Sequence, residues 1–209
     1  MVSRRLLPWV AACSLAWVPS ARSRAAEPPS ATVAVLLGVA WPQARSSLSQ
    51  SLAPTLEIAA LLPGLEGRLA VAATLGTLQP HRHGLGVDPR LAGGTFAFAL
   101  VQQEWLLGLA AVGRLRPPTA LVNLYGKLGA VLHLQRLAGA GNAAGVAFGD
   151  AAEMTRRVGG LGAMGSELVF GPGRLLLEVA LELSRLDGRL TGPAPGGAIF
   201  VQGGYRALF

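Results

Sequence analysis

The feature that most narrows the fold is an alternation of apolar and other side chains with a period of two residues. It is clearest over 174–184, where Leu175, Leu177, Val179, Leu181 and Leu183 fall on one side. Arg174, Leu176, Glu178, Ala180, Glu182 and Ser184 fall on the other. Successive side chains of a β-strand point to opposite faces, so each set shares a face there. An α-helix would scatter both sets around its circumference. Residues 122–135 repeat the pattern. Val122, Leu124, Gly126, Leu128, Ala130, Leu132 and Leu134 oppose Asn123, Tyr125, Lys127, Gly129, Val131, His133 and Gln135. One face suits hydrocarbon, the other a polar or small-residue interior.

Weaker copies complete a set of eight strands, expected at 32–41, 51–62, 67–77, 94–115, 120–136, 156–170, 173–186 and 197–209. The fourth changes phase. Phe96, Phe98 and Leu100 share one parity and Trp105, Leu107 and Leu109 the other, which predicts a bulge near Gln102-Gln103-Glu104 or two shorter pieces. Pro63-Gly64-Leu65-Glu66, Arg116-Pro117-Pro118-Thr119 and Gly171-Pro172-Gly173 read as tight turns. The connections 42–50, 78–93, 137–155 and 187–196 read as longer loops. Strict alternation of short and long connections is the pattern of a membrane barrel. The expected fold is all-β: a closed antiparallel up-and-down transmembrane β-barrel of eight strands, whose closure pairs every backbone amide.

Composition points the same way. Of 209 residues, 51% are hydrophobic and 14% charged, with a mean hydropathy of +0.45. Ordinary soluble domains carry about 25% charged residues. Yet no apolar run of about 18 residues, the length a membrane helix needs, follows the first thirty positions.

Residues 1–26 are expected to be a cleaved signal peptide, leaving 27–209 as the barrel domain. Arg4 and Arg5 lead, Leu6 to Val18 supply the apolar stretch, and Ser23-Arg24-Ala25 gives a small-x-small site before Ala26. Cys13, the one cysteine, leaves with it, and with it any disulfide framework or thiolate metal site. Loss of Arg4, Arg5, Arg22 and Arg24 reduces the +7 charge to 14 basic against 11 acidic residues, or +3. The remaining basic residues are scattered, so no nucleic-acid partner is expected.

The carboxyl end reads Gln202-Gly203-Gly204-Tyr205-Arg206-Ala207-Leu208-Phe209. In Gln202, Gly204, Tyr205 and terminal Phe209 it resembles the assembly signal of substrates of the barrel-assembly machinery. Residues 32–209 resemble, by pattern rather than identity, the small eight-stranded bacterial outer-membrane barrels of the OmpA/OmpX/OmpW-like group. That resemblance implies Sec export, insertion by the assembly machinery and a monomer held in outer-membrane lipid of a Gram-negative cell. One departure is a thin aromatic complement: Trp41, Trp105, two tyrosines and six phenylalanines after the signal. Interfacial girdles are expected to be sparse.

Glu57, Arg68, Arg114, Lys127, His133, Glu178, Glu182 and Arg206 are expected to face the interior. Charges in that setting must pair or line water. The first reading is a structural ion-pair network, the second a narrow polar path. Glu178 near His133 would imitate a base oriented by a carboxylate. However, Leu134, Gln135 and Arg136 follow His133, and Ser166 and Ser184 lie in no recognisable motif. No catalytic residue, cofactor or metal is therefore expected, and a lipid-A-modifying enzyme stands as the alternative. A carrier of small hydrophobic molecules is a further alternative, suggested by interior alanines at 70, 72, 97, 99 and 110.

His81-Arg82-His83 can approach one metal, but in a long loop with Asp88 the sole nearby acid it reads as solvated. Gly126-Lys127 and the glycines of 159–165 lack the spacing of nucleotide-binding loops. The expected role is structural, surface-interacting or that of a narrow pore, because an eight-strand lumen is nearly filled by its own side chains.

Overall fold

A computed structural model describes residues 29–42, 48–90, 94–143, 145–188 and 192–209, so the expected signal segment 1–26 lies outside the described residues. Nine strand segments follow one another: β1 (Ala31–Pro42), β2 (Ser51–Leu61), β3 (Leu69–Leu78), β4 (His81–Val87), β5 (Thr95–Arg114), β6 (Val122–Ala143), β7 (Val146–Phe170), β8 (Gly173–Gly188) and β9 (Gly192–Leu208). They pair in the order β3-β2-β1-β9-β8-β7-β6-β5-β4, and β3 also pairs β5, which closes the ring. All these pairs are antiparallel.

β3 and β4 form a single stave. Leu78 pairs with Glu104 and His81 with Val101, with no change of register between them. Pro80 interrupts the stave because it has no N–H to donate. Its carbonyl still accepts the Gln102 N–H at 3.0 Å, so the ladder crosses the gap. The result is a closed antiparallel barrel of eight staves.

Side-chain alternation sets inside and outside. On β8, Leu176, Glu178, Ala180 and Glu182 are buried, while Leu175, Leu177, Val179, Leu181 and Leu183 are exposed. The outward apolar band runs from Val122 to Leu134 on β6 and from Leu175 to Leu183 on β8. It stops at the outward-facing Gln103, Arg136, Arg156 and Arg185; Gln103 and Arg136 are cross-strand partners. Trp41 and Trp105 point outward near that limit, whereas Phe170 and Phe209 are exposed at the turn end. There the Tyr205 hydroxyl donates to the Phe170 carbonyl at 3.2 Å. These outward aromatics thus lie at the two rims of the band, whereas Tyr125 and Phe200 are buried in the interior.

Two expectations are corrected. The connections 78–93, 137–155 and 187–196 are mostly strand: β4 occupies His81–Val87, β6 extends to Ala143, and β9 starts at Gly192. The two barrel ends differ because paired hairpins extend beyond the apolar band on one side. β5 carries no bulge; its pairing with β6 runs unbroken from Ala97↔Asn142 to Arg114↔Tyr125. Phe96, Phe98 and Leu100 share the parity of buried Gln102 and Glu104, while Trp105 and Leu109 face outward. The phase change therefore marks where the apolar side turns from the outer band to the interior of the extension.

Candidate functional site

The candidate site is the barrel interior, whose layers follow from the inward positions of each strand. Along β6 these read Asn123, Tyr125 and Lys127, then Gly129 and Val131, then His133 and Gln135. Along β8 they read Arg174 to Glu178, then Ala180, then Glu182. Polar side chains fill both ends, and an apolar tier of Leu106, Ala110, Val131, Leu161, Ala180 and Phe200 lies between them.

At the turn end, cations and carboxylates alternate across the lumen. Arg206 places Nη2 2.6 Å from Glu57 Oε1 and pairs with Glu167 through Nη1. Lys127 Nζ lies 2.5 Å from Glu57 Oε2 and also pairs with Glu178. Arg114 Nε donates to Glu167 Oε1 at 3.2 Å, and Arg174 Nη1 stands 3.6 Å from Glu167 Oε2. The Tyr125 hydroxyl donates to Glu178 Oε2 at 2.8 Å. Lys127 and Arg206 also lie 5.3 and 5.4 Å from the centre of its ring. Gly165, the cross-strand partner of Tyr125, makes room for that ring; an added Cβ would meet its Cζ at 2.5 Å.

This cluster is tied to the adjoining turn. Arg174 Nη2 donates to the carbonyl of Ala120 at 2.8 Å and to that of Pro118. Asn123 donates to the Arg116 carbonyl at 2.7 Å and accepts the Arg116 N–H at 3.0 Å. Buried charges recover their desolvation cost only with good geometry and further hydrogen bonds. Here the facing charges and a backbone turn supply most of these, while Glu167 Oε2, Arg114 Nη1, Arg174 Nε, Arg174 Nη1 and Arg206 Nε are buried without a hydrogen-bond partner among the described residues.

At the opposite end, His133 Nδ1 lies 2.7 Å from Glu104 Oε1, and Gln102 Nε2 donates to Glu104 Oε2 at 2.7 Å. Arg157, Glu182 and Ser184 border the same cavity of about 30 Å³. A space of about 10–15 Å³ already holds one water, so this one admits at least one. His133 Nε2 and Glu182 Oε2 are buried without a hydrogen-bond partner among the described residues.

The expected interior residues therefore divide. Glu57, Arg114, Lys127, Glu178 and Arg206 come together at the turn end, and His133 and Glu182 lie at the mouth. Arg68 belongs to neither. β3 begins one residue later, at Leu69, so Arg68 falls in the turn with an αR backbone and pairs with exposed Glu66 at 2.9 Å. The carboxylate beside His133 is Glu104, not Glu178. Among the alanines expected inside, Ala70, Ala72 and Ala110 are buried, but Ala97 and Ala99 have the outward parity of β5.

Sequence reasoning missed Glu104, Glu167 and Tyr125 as members of these clusters and did not foresee Arg174's role. Glu167 has the parity of inward Leu161, but glycines at 160, 162 and 165 blur the alternation there. At the seam between β1 and β9, Gln202 donates to the Ala53 carbonyl at 3.1 Å and to Thr55 Oγ1 at 2.9 Å. A Cβ on Gly204 would run into the Val35 carbonyl oxygen, so glycine permits that close strand approach. Phe209 exchanges backbone hydrogen bonds with Ala31, 2.9 Å from its own N–H and 3.2 Å to its carbonyl.

No family model and no curated protein matches the chain. Among solved structures, Neisserial surface protein A is similar over 86% of this chain and 97% of its own, with 14% identity and a TM-score of 0.53. A major outer membrane protein from Thermus thermophilus is similar over 86% of this chain and 99% of its own, with 12% identity and a TM-score of 0.51. At such identities the likeness is one of fold. The chain has the fold of the small eight-stranded outer-membrane β-barrels.

Proposed function

We propose that this protein is a non-conducting outer-membrane barrel with a structural and surface-interaction role, its extended hairpins standing clear of the lipid. The observation that carries the reading is the apolar tier of Leu106, Val131, Leu161 and Phe200 between two polar ends, which leaves beside it a small cavity that Lys127, Glu178 and Glu182 also line. The cavities that border it are about 30 Å³ each, room for water alone. The band of exposed leucines and valines supports immersion in lipid, since a spanning strand needs about 9–11 tilted residues. β6 and β7, with 22 and 25 residues, are much longer than that.

The same features favour a plug over a carrier, because the enclosed spaces are too small for a hydrophobic ligand of several carbons. A non-catalytic role is supported at the mouth, where His133 Nε2 has no hydrogen-bond partner among the described residues although Ser184 borders the same cavity. Sec export, insertion by the assembly machinery through Gln202, Gly204, Tyr205 and Phe209, and a monomeric state belong to the same proposal.

Planar-bilayer recording tests it. Wild type is expected to give no unitary current steps, and regular steps would replace the sealed barrel with a narrow pore. Lipid-A mass spectrometry with the purified protein is expected to show no loss or transfer of acyl chains.

A further inference from the structure

We infer that His81 and His83 form a surface chelate for a borderline divalent transition-metal ion such as zinc, nickel or copper. The strand β4 replaces the expected solvated loop, and residues i and i+2 of a strand share a face. Both histidines are exposed, with ring centroids 5.5 Å apart and planes tilted by 56°. Exposed side chains can rotate between staggered rotamers, bringing one nitrogen of each ring to the roughly 2.0–2.1 Å that zinc requires.

The cross-strand surroundings put no like charge beside a bound cation. Arg82, between the two histidines, points to the other face, with its guanidinium carbon 5.3 Å from the centre of the Phe98 ring. Its charge is withdrawn from the pair. The cross-strand partners on β5 are Val101 opposite His81 and Ala99 opposite His83, neither of them charged. Ser49 Oγ accepts the His81 backbone N–H and lies 3.1 Å from His81 Nδ1. A metal-binding imidazole is typically held in this way at its other nitrogen. In the tautomer whose Nδ1–H donates to Ser49, His81 Nε2 presents its lone pair to a metal.

Only two protein donors converge, and no group of three or more potential ligands occurs among the described residues. Water or an external donor completes the coordination. Copper should bind most tightly, followed by nickel or zinc, since affinity at nitrogen sites follows that order. The chain holds three histidines and one cysteine, Cys13, which falls in the expected signal. The third, His133, is buried against Glu104. Competing sites are therefore few.

Calorimetric titration of copper, nickel and zinc into the untagged barrel folded in detergent tests the chelate. One ion per chain is expected, with measurable binding lost in His81→Ala and in His83→Ala. Ser49→Ala is expected to weaken binding by about tenfold, and His133→Ala to leave it unchanged. Copper should broaden the proton resonances of two imidazoles and spare the third. Heat-modifiable migration on gels identifies folded variants. Wild-type affinity in either single variant, loss of binding in folded His133→Ala, or no one-to-one binding of any of the three metals overturns the proposal.

Discussion

At the turn end of the lumen Glu167 stands between Arg114, Arg174 and Arg206, whereas at the mouth Glu182 has no ion-pair partner among the described residues. Both carboxylates are buried, at 1% and 7% exposure. Their difference lies in what the neighbouring strands bring alongside. β5, β8 and β9 each aim an arginine at Glu167, and β2 and β6 extend the chain of charges through Glu57 and Lys127. Around Glu182 the strands bring a His133–Glu104 pair, Arg157 and a small cavity. Burial alone therefore does not make a charge part of the framework. Compensation from several strands does, and the uncompensated end is where the interior can accept change.

The largest break in this contrast should come from Glu167→Leu, which leaves three arginines around an apolar side chain. A loss of about 3–5 kcal/mol is expected, the usual effect of removing one partner from buried pairs. Urea unfolding in micelles reads it, and a shift below about 1 kcal/mol would mean that the turn-end cluster is solvated rather than structural. Gly165→Ala pushes a methyl group into the Tyr125 ring and should lower stability by about 2 kcal/mol through overpacking. An unchanged urea midpoint would place that ring elsewhere.

Tyr125→Phe removes one hydrogen bond to a carboxylate, and the expected loss is about 1.5 kcal/mol. The smallest change has the opposite sign. Glu182→Gln replaces an unpartnered buried carboxyl group by an amide of nearly the same shape and should stabilise by at most about 1 kcal/mol. A loss there as large as that of Glu167→Leu would erase the distinction between the two ends.

Where lipid faces one side of a strand and the lumen the other, the sequence alternates, and the staves were legible from that alone. Leu175 to Leu183 and Val122 to Leu134 declare themselves because their two faces meet opposite solvents. Above Gln103, Arg136 and Arg156 that contrast fades. The segment Ala138-Gly139-Ala140-Gly141-Asn142 carries little pattern although it is paired strand. The same fading made β4 look like a loop and the phase change in β5 look like a bulge.

The interior charges on the cleanest strands, Glu178 and Lys127, were placed by parity. Arg68 shared the parity of Ala70 and Ala72 but fell one residue outside the strand, where alternation has no meaning. Which charges meet depends on register between strands distant in sequence. Alternation within one strand does not encode it.

The pairing of Arg206 with Glu57 spans 149 positions of chain, and that of Lys127 with Glu57 spans 70. Neither pair can help a growing sheet before the ring has nearly closed. Such contacts belong to the native side of the barrier, so weakening them is expected to speed unfolding far more than it slows folding. The charged tier thus acts as a latch: it does little to bring the barrel together and sets how long the barrel stays shut.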